Sequence, residues 1–295
     1  MINNSVQISK EFVIGGDLRV NRIGYGAMRL TGKPGNFGPY PNWEAGEKLL
    51  RHMVNMGVNF IDTAEAYGPG FNEEIISSAL YPYASDVAIA TKGGINKPAS
   101  NQILADASPE NLRRGCEASL KRLRVEQIDL YQLHRPDPKI PFYKSVEMLA
   151  TLKKEGKIRH IGLCNVNMAQ IKEALMIVPI SSIQNRYNIV ERSSENILDF
   201  CTENAIAFIP YGSLGAHPLK QGAPLASGND VITEIANKYR VKSIQVVLAW
   251  LLHRAHNIIL IPGTTQIEHM EENIAASNIQ LTSSEFEALN LMQTA

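Results

Sequence analysis

The stretch FIDTAEAYG (residues 60–68) leaves an apolar run and at once presents Asp62, Glu65 and Tyr67. Two further apolar runs end in groups that can do chemistry, VAIATK in Lys92 and IDLYQLH in His134. Acid, phenol, ammonium and imidazole together are what a carbonyl reduction site needs. A phenol can supply the proton that accompanies hydride arrival at a carbonyl, but with a pKa of about 10 it is a poor acid at neutral pH. An adjacent ammonium favours the phenolate left behind, and Lys92 could be that ammonium. Asp62 would hold the ammonium in place and charged, and His134 could donate to the carbonyl oxygen as it becomes an alkoxide. No side chain supplies hydride, so a cofactor is implied.

Each residue also has an ordinary structural reading. Asp62 could close a turn, Lys92 could be a solvated strand end, Tyr67 a half-buried aromatic and His134 a satisfied structural histidine. Their recurrence at the ends of three consecutive runs favours the chemical reading. Nothing in that chemistry requires Glu65, which is expected to be a solvated loop residue.

Positioning these groups falls to short Val-, Ile- and Tyr-rich runs that alternate with longer stretches at helical spacing, the pattern of repeated βα units. The runs are GYGAM (residues 24–28), VNFIDT, VAIATK, IDLYQLH, RHIGLCN, SSIQN, AIAFIPY and NIILIPG, eight in all. Residues 43–56 form an amphipathic helix that stops at Gly57, and Ser108 and Pro109 read as N-cap and first position of another. Thr265 with Glu268, and Thr282 with Glu285, have capping-box spacing. Eight units in 295 residues without a linker predict an α/β fold, a (β/α)8 TIM barrel that is one domain over residues 1–295. The opening VQISKEFVIGGDLRV predicts an N-terminal β-hairpin capping the barrel floor. In such a barrel the strand-end loops carry function. The later ends offer Cys164 and Asn165, then Gln184, then Tyr211 and Ser213, and last Gly263, Thr264 and Thr265. The last three open into a helix amino terminus, a setting for phosphate.

Composition narrows the partners. Acidic and basic residues balance at 29 each without long like-charge runs, which argues against nucleic acid and anionic membranes and for a small molecule. Three scattered cysteines suit neither a disulfide framework nor a metal site, so no metal is expected and the cytoplasm is the expected location. No run approaches membrane-spanning length, and the amino terminus lacks a signal-peptide core.

The ordered blocks RIGYGAM, GVNFIDTAEAYG, ATKGG, DLYQLHRPD, IRHIGLCNV, IQNRYNI, IPYGSLG and IPGTTQIEHMEEN resemble the aldo-keto reductases over nearly the whole chain. The resemblance implies Tyr67 as catalytic acid with Asp62, Lys92 and His134 completing a tetrad. It implies that Asn165 and Gln184 hold the nicotinamide carboxamide, that Tyr211 stacks on the ring, and that Tyr211, Ser213 and Leu214 run near the pyrophosphate. Cys164 stands where many members have serine, and a thiol hydrogen-bonds more weakly. Gly263 and His269 stand where many have the lysine and arginine that clamp the adenosine 2'-phosphate. Glu272 and Asn273 match positions that look toward the adenosine. NADPH is the expected cofactor, with NADH the alternative. The blocks VNRIGYGAMRL, NFGP, YPY and IPGTT look most like a bacterial branch that includes pyridoxal reductases, which implies a small aldehyde as substrate. Met28, Leu30 and Phe37, on a first loop that could act as a lid, are candidate pocket residues. Arg135 would either meet an anionic group or be solvated.

Three other functions share parts of this pattern. GYGAMR lacks the third glycine of a dinucleotide-binding fingerprint, so an open-sheet reductase is disfavoured. A barrel aldolase would use Lys92 as a Schiff-base nucleophile. A non-catalytic nicotinamide-binding sensor or assembly subunit, a role some relatives take, would bind cofactor without turnover.

Overall fold

The computed structural model describes residues 9–215 and 229–292, so the first residues of the opening segment, 6–8, lie outside the described residues. Strands β1 (Glu11–Ile14) and β2 (Leu18–Asn21) form the expected hairpin, pairing Ile14 with Leu18. Its turn needs Gly15, at φ +60°, because a Cβ there would lie 2.2 Å from the His160 ring. The same turn is latched to the floor: His160 Nε2 lies 2.6 Å from Asp17 Oδ1, and Nδ1 lies 3.1 Å from Ser181 Oγ.

Strands β3 (Tyr25–Gly26), β4 (Phe60–Asp62) and β5 (Ala88–Gly93) run parallel. An antiparallel hairpin, β6 (Ile95–Ala99) with β7 (Gln102–Ala105), follows before the parallel series resumes. The resumed series is β8 (Ile128–Leu133), β9 (Ile158–Cys164), β10 (Ser182–Gln184) and β11 (Ala207–Phe208). The sheet order is β11-β10-β9-β8-β5-β4-β3, seven strands in TIM-barrel-like sequence order. The eighth run departs from expectation. It forms no regular strand and makes only isolated parallel bridges, Phe208 to Ile258 on one edge and Ile23 to Leu260 on the other. It still bonds to both edges: Ile259 N donates to Phe208 O at 2.9 Å and Leu260 N to Arg22 O at 2.8 Å. The run stops at Pro262, which has no N–H to extend a ladder. The first run is also shorter than expected, turning after Gly26 into a 3-10 helix, Ala27–Arg29.

Helices cover the outside: α1 (Trp43–Asn55), α2 (Phe71–Leu80), α3 (Pro109–Leu123), α4 (Phe142–Lys154) and α5 (Met168–Leu175) on the first half. The second half carries α6 (Glu195–Glu203), α7 (Asp230–Tyr239), α8 (Ser243–Arg254), α9 (Ile267–Ala275) and α10 (Ser283–Asn290). Ser108 Oγ caps α3, and Thr282 with Glu285 forms the expected box on α10. The box expected from Thr265 and Glu268 does not form. Helix α9 begins at Ile267 with Gln266 as its N-cap, and Thr264 Oγ1 instead accepts from Gln266 N at 3.1 Å, a local turn that bends the chain at Thr265 just before the helix.

The period-two alternation of strands explains where polar groups fall. Phe60, Ala88, Ala90 and Leu130 fill the barrel interior near the floor, while Ile61, Ile89, Tyr131 and Leu133 pack outward beneath the helices. The next inward positions toward the carboxyl ends are Asp62, Lys92 and Gln132, all buried. The interior changes from hydrocarbon to hydrogen-bonding groups within one side-chain layer.

Candidate active site

Inside that layer Lys92 Nζ donates to Asp62 Oδ1 at 2.5 Å and to Thr63 O at 2.8 Å. Asp62 Oδ2 accepts from Gln132 Nε2 at 3.1 Å and Gln184 Nε2 at 2.8 Å, so both carboxylate oxygens are used. Burial alone would lower the Lys92 pKa, but the Asp62 carboxylate reverses this and holds the ammonium above the usual lysine value. The ammonium sits 5.2 Å from the Tyr67 ring centroid, and the Tyr67 and His134 rings meet edge-on at 5.9 Å. The four residues expected to act together are therefore brought together.

One expectation needs correcting in magnitude. Burial pushes the Tyr67 phenol up to about 12, and Lys92 offsets only part of this. The phenol is protonated throughout the neutral range. Burial, with Lys92, Arg135 and Lys97 nearby, holds His134 well below the usual histidine value, so its imidazole is neutral. His134 Nδ1 is buried and has no hydrogen-bond partner.

These groups open onto one cavity of about 760 Å³. Of the expected residues, Asp62, Tyr67 and His134 line it, as do Met28, Arg135, Cys164, Asn165, Gln184, Tyr211, Ser213 and Leu214. So do Gly263, Thr264, Thr265, His269, Glu272 and Asn273. Asn165, at φ +58°, accepts from Tyr211 Oη at 2.6 Å and donates to His134 O at 3.0 Å. Cys164 Sγ lies 3.2 Å from Asn165 Nδ2; its thiol is pushed up to about 12 by burial and stays protonated.

Two candidate pocket residues are misplaced by the sequence reading. Leu30 is fully buried in the core beside α1, and Phe37 does not line the cavity. The first loop is fastened instead of free, since Gly38 N donates to Gly68 O at 3.1 Å and Lys97 Nζ to Asn36 O at 2.9 Å. Glu65 is likewise not solvated. It is 7% exposed, accepts from Arg114 Nη1 at 3.0 Å, and burial raises its pKa. Gly115 makes room for it, because a Cβ there would lie 2.5 Å from Glu65 Oε2.

Other wall residues were not anticipated. The β6–β7 hairpin contributes Ile95, Lys97 and Ile103, and its alternating INKPA and QILA flanking Ser-Asn is a readable hairpin signal. Lys242 lines the far end and is ion-paired with Glu272. No local sequence signal marks that pair, whose partners are thirty residues apart.

Several observations suit a nicotinamide dinucleotide. The cavity runs continuously from Tyr67 to Asn273, and the Asn273 Oδ1 acceptor is buried without a partner. A carboxylate-held lysine beside a phenol at the carboxyl ends of a TIM-barrel-like sheet defines an oxidoreductase that acts on carbonyl groups. The chain belongs to the aldo/keto reductase family, which it matches over residues 22–292. An uncharacterized oxidoreductase of Schizosaccharomyces pombe is 41% identical over 275 residues, covering 93% of this chain and 87% of that protein. Pyridoxine 4-dehydrogenase of Escherichia coli is 37% identical over 273 residues, covering 90% and 93%. An aldo/keto reductase structure from Klebsiella pneumoniae, in complex with NADP and acetate, gives a TM-score of 0.80 at 28% identity. That likeness covers 97% of this chain and 95% of the other. Among the described residues no helix is long and apolar enough to cross a membrane, and no group of three or more His, Cys, Asp or Glu could hold a metal ion.

Proposed function

We propose that this chain is an NADPH-dependent reductase of small aldehydes or ketones, with Tyr67 as proton donor. The observation that carries the reading is the fully buried Lys92–Asp62 pair beside the Tyr67 phenol at the cavity wall. NADPH, when bound, supplies the hydride. Asn165, Gln184 and Tyr211 would hold the nicotinamide end; Ser213, Leu214 and Gly263 to Thr265 the phosphates; and His269, Glu272 and Asn273 the adenosine. Tyr67 gives its proton to the carbonyl oxygen, and the Lys92 ammonium stabilises the phenolate that remains. Neutral His134 donates a hydrogen bond to the same oxygen and orients it without adding a charge. Asp62, fixed by Gln132 and Gln184, keeps Lys92 charged.

The preference for NADPH over NADH rests on Lys242, a cation at the cavity end that His269, Glu272 and Asn273 also line. Pyridoxal is a candidate substrate, motivated by the relative named pyridoxine 4-dehydrogenase. We read the chain as one cytoplasmic domain whose edge-bridging 257–260 segment completes an eight-staved barrel. Oxidation of NADPH and NADH, followed with a panel of aldehydes that includes pyridoxal, tests the proposal. Turnover with NADPH preferred is expected. Tight cofactor binding with no oxidation by any carbonyl compound would instead mark a nicotinamide sensor or assembly subunit.

A further inference from the structure

Positive charge collects at the substrate end of the cavity without acids to match it. Arg135 follows His134 at the end of β8, is exposed, lines the cavity, and has no hydrogen bond or ion pair among the described residues. Its field nevertheless reaches the His134 imidazole, the Cys164 thiol and the Tyr211 phenol, so the guanidinium faces the site. Lys97, on β6, is 9% exposed and lines the same wall. It donates to Gly35 O and Asn36 O, neutral carbonyls that fix the ammonium in place and leave its charge uncancelled.

The acids on the cavity wall are already committed. Asp62 is paired with Lys92 beneath the site, and Glu272 with Lys242 at the opposite end. Around the two cations the wall is apolar, with Met28, Ile95 and Ile103, the last 46% exposed. Low-dielectric walls strengthen the attraction of a cation for an entering anion, and a guanidinium meets carboxylate or phosphate oxygens in a two-pronged fork.

Resting on the reductase reading above, we infer that the preferred substrate is a carbonyl compound bearing an anionic substituent, carboxylate or phosphate, on a compact apolar frame, with Arg135 recognising the anion and Lys97 reinforcing it. The neutral frame lies along Met28, Ile95 and Ile103 while the carbonyl reaches Tyr67. Arg135 has no part in the proton transfer; it decides which aldehyde is held long enough to react.

Matched substrates test this with cofactor fixed. The values of kcat/KM are compared for 4-formylbenzoate against its methyl ester, and for pyridoxal 5'-phosphate against pyridoxal. In at least one pair the anion is expected to win by about 10- to 100-fold, the usual worth of a hydrogen bond to a charged group. The winning pair tells carboxylate from phosphate recognition. Arg135→Ala should shrink the ratio toward unity, Arg135→Glu should invert it, and Lys97→Met should lower it in part. Equal rates for anion and neutral partner in both pairs, or a ratio untouched by Arg135→Glu, would overturn the inference. If no carbonyl compound is reduced, the reductase reading fails separately. Binding of benzoate against benzamide to the protein then decides the anion site, and equal affinity for the two would reject it.

Discussion

The Lys92 ammonium and the Asp62 carboxylate meet at 2.5 Å with 0% and 2% of their side chains exposed, Asp62 on the cavity wall and Lys92 buried behind it. A buried pair of this kind is costly to break from one side, because the surviving charge is left uncompensated. Asp62→Asn is expected to lower stability by about 3–5 kcal/mol, measured by urea unfolding. Lys92 has a raised pKa in the folded state, so its contribution is complete below the unfolded lysine value and is lost as pH rises through the folded one. The loss should therefore appear in full at neutral pH. A variant as stable as the parent would show that the pair contributes nothing to folding.

Tyr67→Phe is expected to cut kcat for aldehyde reduction by about 10²- to 10⁴-fold, the usual range for a general acid. Affinity for NADPH, followed by quenching of protein fluorescence, should change little. Lys92→Met should act in the same direction, since the phenol loses the cation that opposes its burial. Undiminished turnover in the Tyr67 variant would remove it from the mechanism.

The reduction rate should be flat across the neutral range. In the proposed mechanism Tyr67 is the acid, and it holds its proton until pH approaches about 12, while His134 is neutral because its pKa lies well below the usual histidine value. Loss of the donor therefore begins only as pH rises through the Tyr67 value, and protonation of His134 only as pH falls well below 6.5. A kcat/KM profile with a limb near pH 7 would assign the chemistry to another group.

Lys242→Glu is expected to reduce the ratio of NADPH to NADH affinity by roughly tenfold or more, as a charge at the proposed adenosine-phosphate site is reversed. Dissociation constants for the two reduced cofactors provide the measurement. Preference unchanged by the substitution would mean that the adenosine phosphate lies elsewhere.

Gly15→Ala should destabilise the fold by about 2 kcal/mol or more, by combining a positive φ with a Cβ driven into His160, and should leave KM for substrate unchanged. The latch it disturbs has a pH signature of its own. Burial lowers the His160 pKa, so its contribution is present above the unfolded histidine value of about 6.5 and is lost as pH falls through the folded one. Thermal melts between mildly acid and neutral pH should show stability declining on the acid side.

How much could be read from residues alone depended on range. Asp62, Lys92 and His134 were legible because each closes an apolar run, and alternation fixes which side such a residue faces. Ser108 and Thr282 were legible because a cap and its partner lie within one turn. Thr265 had the same spacing and failed, because the chain bends at Thr265, where Thr264 Oγ1 takes the Gln266 N–H, and the helix starts two residues later with Gln266 as N-cap. Glu65 and Lys242 were invisible for another reason: their partners, Arg114 and Glu272, are brought to them only by the completed fold. Leu30 and Phe37 were misjudged because a Gly- and Pro-rich loop gives no sign of how firmly it is tied down. The eighth run has the composition of a strand but meets each neighbour through single bridges, a shortfall that propensity does not record.

That eighth run joins the two ends of the sheet where they approach most closely. A Cβ on Gly26 would sit 2.5 Å from Ile261 O, and one on Gly263 would sit 2.7 Å from Gly26 O. The cavity wall therefore includes a seam between segments more than 230 residues apart in sequence, Gly26 on one side and Ile261 and Gly263 on the other. During synthesis on a ribosome, residues 22–26 emerge long before residues 257–263, and the wall stays open until the latter arrive. Without residues 257–263 the β3 and β11 edges of the sheet would both be bare and the cavity would lose the wall formed by Ile261, Pro262 and Gly263.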